Sequence, residues 1–391
     1  MNFQLTDKQL EWKQEVKEFI KEIVTPELLA EVEENEDRMP GKLEKEYKRK
    51  IAEKGWTAIN WPIEYGGLGL TAVEKFIFNE EFRYAGAPYP LGAAASIVAP
   101  SLFKYGTEEN KAHWLPQIIA GEVDFALSYS EPNAGTDLAS LQTTAFLDGD
   151  EWVVNGQKTW NTVGHRVSHQ WAAVRTDLEA AKHKGISVMI IPNDAPGVTL
   201  VKQTTWGEHT TNEVFFDNVR IPQNHLIGPL NQGWRILTSA LDDERVMMGS
   251  SAQLRRTFDD LIKYCKRTVR DGELLISRPE IRMQLAELHM DLEVALLFGY
   301  RGATMIDSGK EVSSQASMMK VFSTELFTKL ADYGLQITEM YGQLNKEDSD
   351  APLFGRLEHL YRLAPFHRFG GGTNEVQRNI IAQRGLALPR K

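Results

Sequence analysis

The stretch Leu127-Ser128-Tyr129-Ser130-Glu131-Pro132-Asn133-Ala134-Gly135-Thr136-Asp137 decides how the chain is read, because it lies where one kind of sequence gives way to another. Before it, apolar residues recur at helical spacing; after it, they come in short runs broken by turn residues. The segment itself is small and hydroxylic. Gly135 lets a backbone approach a flat ligand closely. The hydroxyls of Ser130 and Thr136 can donate to ring atoms or to a phosphate. Taken alone, such residues also make an ordinary polar turn.

On the N-terminal side, Thr6 and Gln9 form a capping box. Leu10, Val16, Phe19, Ile20, Ile23 and Val24 then follow helical spacing, and Pro26 ends the pattern. Further helices are expected over 43–54, 73–84 and 108–119, with a glycine-rich loop at 61–69. On the C-terminal side, residues 152–160 read as a hairpin around Asn155-Gly156. Short strands follow at 171–175, 186–191, 198–202 and 213–216. From Gln232 long helices return, over 234–266, 279–307 and 314–341, with Leu285, Leu288, Leu292, Ala295 and Leu296 at core spacing. The expected fold class is α+β in three parts. An N-terminal helical domain covers 1–121, a small middle β-domain of barrel or sandwich type covers 122–231, and a C-terminal four-helix bundle covers 232–391.

The 391 residues carry 44 Lys and Arg against 54 Asp and Glu, a net charge of −10. That balance speaks against a nucleic-acid partner. Cys265 is the single cysteine, which excludes an intrachain disulfide and a cysteine-cluster metal site. The nine histidines show no ligand spacing, so no metal is expected. The chain opens without a secretion signal, and no apolar run is long enough to span a membrane, so a cytoplasmic protein is expected.

Further landmarks follow the first segment in a fixed order: Asn155-Gly156-Gln157-Lys158, then Trp160-Asn161-Thr162, then Glu213 to Pro222, then Gly233-Trp234. Together with the helix–β–helix order, this set resembles the acyl-CoA dehydrogenase family over nearly the whole chain. The resemblance implies FAD as cofactor and an acyl-CoA substrate oxidised to the trans-2-enoyl-CoA. By matching position, Leu127, Tyr129, Ser130, Gly135 and Thr136 would line the flavin ring and its phosphates. Trp160 and Thr162 would flank the ring, and Thr373 and Glu375 would be further cofactor-binding positions. An electron-transferring flavoprotein or similar acceptor is expected.

The chemistry sets its own demands. Removing the weakly acidic α-proton of a thioester needs a placed carboxylate and a stabilised enolate oxygen. Most of the family carries that carboxylate in a Tyr-Glu-Gly-Thr stretch near the C-terminus. Here Gly370-Gly371-Gly372-Thr373 stands in its place, with Gly371 at the glutamate position. Isovaleryl and long-chain members use a Leu-Asp-x-Glu-Arg pattern instead, which Leu241-Asp242-Asp243-Glu244-Arg245 matches. The resemblance therefore assigns the base to Glu244, with Arg245 orienting it or pairing with another acid. Gly371 keeps a backbone N–H for the thioester carbonyl and makes room for a bulky or branched acyl chain.

In the family a neighbouring subunit completes each flavin site with an arginine and a glycine pair. Thr268 stands where the arginine is expected, with Arg267 and Arg270 nearby but out of register. Glu339-Met340-Tyr341-Gly342-Gln343 keeps one glycine of the second region. This combination resembles one subunit of the α2β2 acyl-CoA dehydrogenases of bacterial steroid side-chain degradation. It implies a dimer or tetramer in which a paralogous chain supplies the missing groups. An oxidase or monooxygenase on the same fold, or a non-catalytic partner subunit, are the alternatives.

Overall fold

The computed structural model describes residues 4–35, 38–239 and 251–389. Helix α1 (Asp7–Ile23) opens on the expected capping box, with Thr6 and Gln9 bonding each other's backbone N–H. Pro26 does not merely end this helix. It occupies the first turn of α2 (Pro26–Glu34), where its missing N–H costs nothing. Then come α3 (Lys42–Glu53), α4 (Ala72–Ala85), α5 (Ala99–Tyr105) and α6 (Glu108–Ala120). Trp56 lies at their centre, edge-on to Trp12, Phe19 and Phe78.

The middle domain holds β1 (Phe125–Ser128), β2 (Thr144–Asp148), β3 (Glu151–Thr162), β4 (His169–Arg175), β5 (Ile186–Pro192), β6 (Val198–Thr204), β7 (Thr210–Pro222) and β8 (Leu226–Ile227). They form one sheet in the order β6-β7-β3-β2-β4-β5-β8, with β1 parallel to β4. Successive side chains on β4 and β5 point to opposite faces. Trp171, Ala173, Val188 and Ile190 pack on the N-terminal helices, while Ala172, Val174, Met189 and Ile191 fill the β-domain's own core. Burial on both faces is why these strands read as unbroken apolar runs.

The expected hairpin at Asn155-Gly156 is not there. β3 runs straight through these residues, and the β2–β3 turn lies between Asp148 and Glu151. Gly156 instead sits at an irregularity in the β3–β7 pairing, at φ 147°. A side chain there would collide with the Thr143 backbone, at 2.7 Å from its Cα, so glycine serves a close approach rather than a turn.

Residues 233–239 are helical and form α7; α8 (Ala252–Arg267), α9 (Pro279–Asp307), α10 (Ser313–Thr338), α11 (Arg356–Phe369) and α12 (Asn374–Ile380) follow. The expected helix over 234–266 is described only at its two ends. α8 to α11 enclose a second core around Leu261, Leu288, Leu330 and Leu357. α11 escaped the sequence reading because Pro365 lies inside it. The two helical domains are bound through α4. Asp307 at the end of α9 accepts from the backbone N–H of Ala72 (2.6 Å) and Val73 (3.2 Å) in its first turn. Phe76 stacks edge-on against Tyr300 and fills the space over Gly299. No helix among the described residues is long and apolar enough to cross a membrane.

Two predictions follow from these contacts. Asp307→Ala removes both bonds to the start of α4 and should lower unfolding free energy by about 1 kcal/mol in urea titrations. Acid should also weaken the fold through its histidines. Burial, reinforced by His225, holds His169 at about 4, and burial holds His367 at about 4. Unfolded, these rings take up protons near 6.5, so the unfolded chain binds more protons between those values. Stability present above pH 6.5 is therefore lost as pH falls towards 4. The variant His169→Phe should show a shallower decline over that interval.

Candidate active site

The end of β1 and the end of β3 lie side by side, and β3 reaches across repeatedly. Lys158, fully buried, donates from Nζ to the Tyr129 carbonyl (3.1 Å) and to Glu131 Oε1 (2.8 Å). The next residue, Thr159, donates its backbone N–H to the Ser130 carbonyl at 2.9 Å. Asn161, also fully buried, donates from Nδ2 to the Leu127 carbonyl (2.9 Å), Ser128 Oγ (3.1 Å) and Gln170 Oε1 (2.9 Å). Residues 158, 159 and 161 thus each bond back onto the segment, reaching one group on every residue from Leu127 to Glu131.

Glu131 is satisfied on both oxygens, since the backbone N–H groups of Gln142 (2.6 Å) and Thr143 (2.8 Å) also donate to it. Burial pushes its carboxyl up, but the Lys158 charge and these donors outweigh that and hold it below the usual range. Burial pulls Lys158 down to about 8 despite the carboxylate beside it. A charge pair this deep stands only because each member is bonded to the other and to backbone.

Between these anchors Trp160 sits at φ 60°, a left-handed backbone that a bulky residue rarely adopts. It lies in a register shift between β3 and β7 that spans Lys158 to Asn161. The result is an indole 62% exposed in the midst of a buried strand. Behind it, Asn212 donates to the Asn161 carbonyl at 2.8 Å and contacts the His165 ring. Thr162 is half-buried and pairs with Thr211 of β7.

The sequence-selected residues of the first group are therefore brought together. Leu127, Tyr129 and Ser130 form the stitched segment, Trp160 and Thr162 lie across from it, and Gly135 and Thr136 are exposed at its far end. A flavin fits what is present. The backbone N–H groups of Gly135 and Thr136 take no partner among the described residues. The space around Gly135 is open. The buried oxygens Asn161 Oδ1 and Thr211 Oγ1 likewise have no hydrogen-bond partner there. An exposed indole on β3, with unpartnered N–H groups at the far end of the segment across from it, suits a flat, hydrogen-bonding ring with a phosphate tail.

The second group lies on a different element. Gly371 and Gly372 have left-handed backbones, at φ 65° and 93°, which glycine adopts without strain. Thr373 then caps α12 by accepting from the Val376 N–H. Gln377 fixes the turn, donating to the Gly371 and Gly372 carbonyls at 3.4 Å and accepting from Ser317 at 2.8 Å. Buried Lys320 on α10 adds bonds to Asn374 Oδ1 (2.8 Å) and the Arg368 carbonyl (2.9 Å). Glu375 is exposed in the first turn, held low by its own backbone N–H and by Thr373. Glu244 and Arg245 lie outside the described residues.

Sequence reading missed Lys158, Asn161, Glu131 and Gln170 as site residues. A signal existed: a lysine and an asparagine placed within an apolar, tryptophan-flanked strand need buried partners. The groups near Thr268 are also clear. Thr268 caps the end of α8. Arg270 donates to the Ile337 carbonyl (3.1 Å) and pairs with Glu339 (2.7 Å), so it is held within its own chain. Arg267 is exposed.

Comparison with known proteins places this geometry. The acyl-CoA dehydrogenase N-terminal, middle and C-terminal domain models match residues 6–122, 126–219 and 231–386. The acyl-CoA dehydrogenase FadE26 of Mycobacterium tuberculosis is 36% identical, over 100% of this chain and 99% of its own. A chain of the ChsE4–ChsE5 complex from Mycobacterium tuberculosis superposes with a TM-score of 0.92 at 36% identity, covering 100% of both chains. A chain of the Tcur3481–Tcur3483 steroid ACAD gives a TM-score of 0.92 at 32% identity, again over 100% of both. The expected resemblance to subunits of this heteromeric, steroid-type group is borne out. The chain belongs to the acyl-CoA dehydrogenase family.

Proposed function

We propose that this chain oxidises a bulky or branched acyl-CoA thioester to its trans-2-enoyl-CoA, with FAD bound at Trp160 and a paralogous chain as partner. The observation that carries the reading is the Trp160 ring, exposed on a left-handed backbone and followed by Asn161, whose buried Oδ1 has no hydrogen-bond partner among the described residues. FAD, when bound, supplies the acceptor for the β-hydride. Leu127, Tyr129, Ser130, Gly135, Thr136, Trp160 and Thr162 would hold its ring and phosphates, with Thr373 and Glu375 contributing from the C-terminal domain.

Glu244 is assigned to take the α-proton, and Arg245 to orient that carboxylate. The Gly371 N–H would donate to the thioester carbonyl and stabilise the enolate oxygen as the proton leaves. The glycine turn at 371–372, with no side chain to fill it, supports a bulky acyl group such as the steroid thioesters suggested by the relatives' names. A shut site that excludes water would strengthen each of these bonds. Buried, unpaired Cys265 suits a cytoplasmic setting.

A partner is supported by what surrounds Thr268. Arg270 is occupied by Ile337 and Glu339, and the 339–343 segment keeps only Gly342 of the expected glycine pair, with Gln343 beside it. The related solved structures are named as complexes of two different chains. An electron-transferring flavoprotein is the expected electron acceptor.

The purified chain alone should retain little flavin in its visible spectrum. Co-expressed with the paralogue, the assembly should carry half as many flavins as chains. A full complement in the chain alone would overturn the partner assignment. Within the active assembly, Glu244→Gln should cut turnover by at least roughly 100-fold and leave flavin content unchanged. Unaltered turnover would remove Glu244 from its role as base.

A further inference from the structure

We infer that Asn161 and Lys158 are positioning residues, which hold the Trp160 ring and the 127–131 segment as one preformed surface for the flavin. This rests on the flavin reading of the same site. The two residues flank Trp160 and point back onto consecutive positions of the neighbouring strand end. Lys158 reaches Tyr129 and Glu131, and Asn161 reaches Leu127 and Ser128. Thr159 closes the gap at Ser130.

The arrangement matters because Trp160 is held against two preferences. Its backbone is left-handed and its large apolar ring faces solvent. Such a conformation persists only where the surroundings over-determine it. Here the surroundings are polar: fully buried Asn161 and Lys158, backed by Gln170, Asn193 and Asn212. Gln170 donates to Asn193 Oδ1 at 2.5 Å, and Asn193 donates onward to the Gly164 and Val167 carbonyls at 2.9 and 2.8 Å. Asn193 belongs to the same network but does not touch the 127–131 segment, which makes it a control.

The test compares Asn161→Leu with Asn193→Ala in the full chain. The contribution of Trp160 to fluorescence is isolated by difference against Trp160→Phe in each background. Acrylamide quenching of that contribution is read first without cofactor, and FAD is then titrated. Both variants remove buried hydrogen bonds, so both should melt at lower temperature. Asn161→Leu alone should change Trp160 quenching and weaken FAD binding about tenfold. If the unaltered chain binds FAD and Asn161→Leu binds it equally well with unchanged quenching, the inference fails while the flavin reading stands. If the unaltered chain, alone or with its partner, never quenches Trp160 on adding FAD, the flavin reading fails. The cofactor-free quenching then decides the positioning role alone: an unchanged value in Asn161→Leu overturns it. Equal effects of Asn193→Ala and Asn161→Leu on quenching would reduce Asn161 to a general structural role and also overturn it.

Discussion

Lys158 has no exposed surface and keeps the Glu131 carboxylate within reach, and the middle domain is arranged around that pair. Lys158 cannot hold a charge in a sheet interior without Glu131, and Glu131 cannot stay ionised there without Lys158 and the Gln142 and Thr143 amides. The pair therefore fixes three pieces of chain at once: the loop after β1, the start of β2 and the end of β3. The proposed cofactor residues of the middle domain, from Leu127 to Thr136 and from Trp160 to Thr162, lie within a few residues of one of those pieces. Polar stitching of this kind contributes less to net stability than an apolar core of equal volume. What it supplies is a single allowed alignment, since any slip of β3 against β1 would strand a charge.

The surrounding domains do different work. The N-terminal helices cover one face of β4 and β5 and the β-domain's own residues cover the other, so the site's backing strands are dry on both sides. The helical bundle, with Gln377, Lys320 and Asn374, freezes the glycine turn at 371–372. Trp160 is thus a strained aromatic held by buried amides, while the 371–372 turn is a strain-free glycine turn held by a buried glutamine.

Much of the fold was legible because its periodicities are clean. α9 matches its expected bounds, and β4 and β5 are unmistakable apolar runs. The Asn155-Gly156 pair misled because a dipeptide favoured in turns also suits a bulge, and only the partner strand decides between them. α11 was hidden by Pro365, which the bundle tolerates. The first group of site residues was legible as a segment, through its likeness to a family. The roles of Lys158 and Asn161 were not, because a buried hydrogen bond joins residues about thirty apart and leaves no mark in local sequence.

The bond between Asp307 and the start of α4 has a consequence for how the protein is made. The carboxylate lies 235 residues downstream of the amide it receives. Synthesis proceeds from the N-terminus at roughly 5–20 residues per second, so α4 leaves the ribosome with its own Thr71–Glu74 capping box but many seconds before this added acceptor exists. The aromatic surface of Phe76 meanwhile waits for Tyr300 and the Gly299 groove. The first domain of the chain is thus the last to be finished, and the nascent protein carries an open apolar face until the bundle arrives to close it.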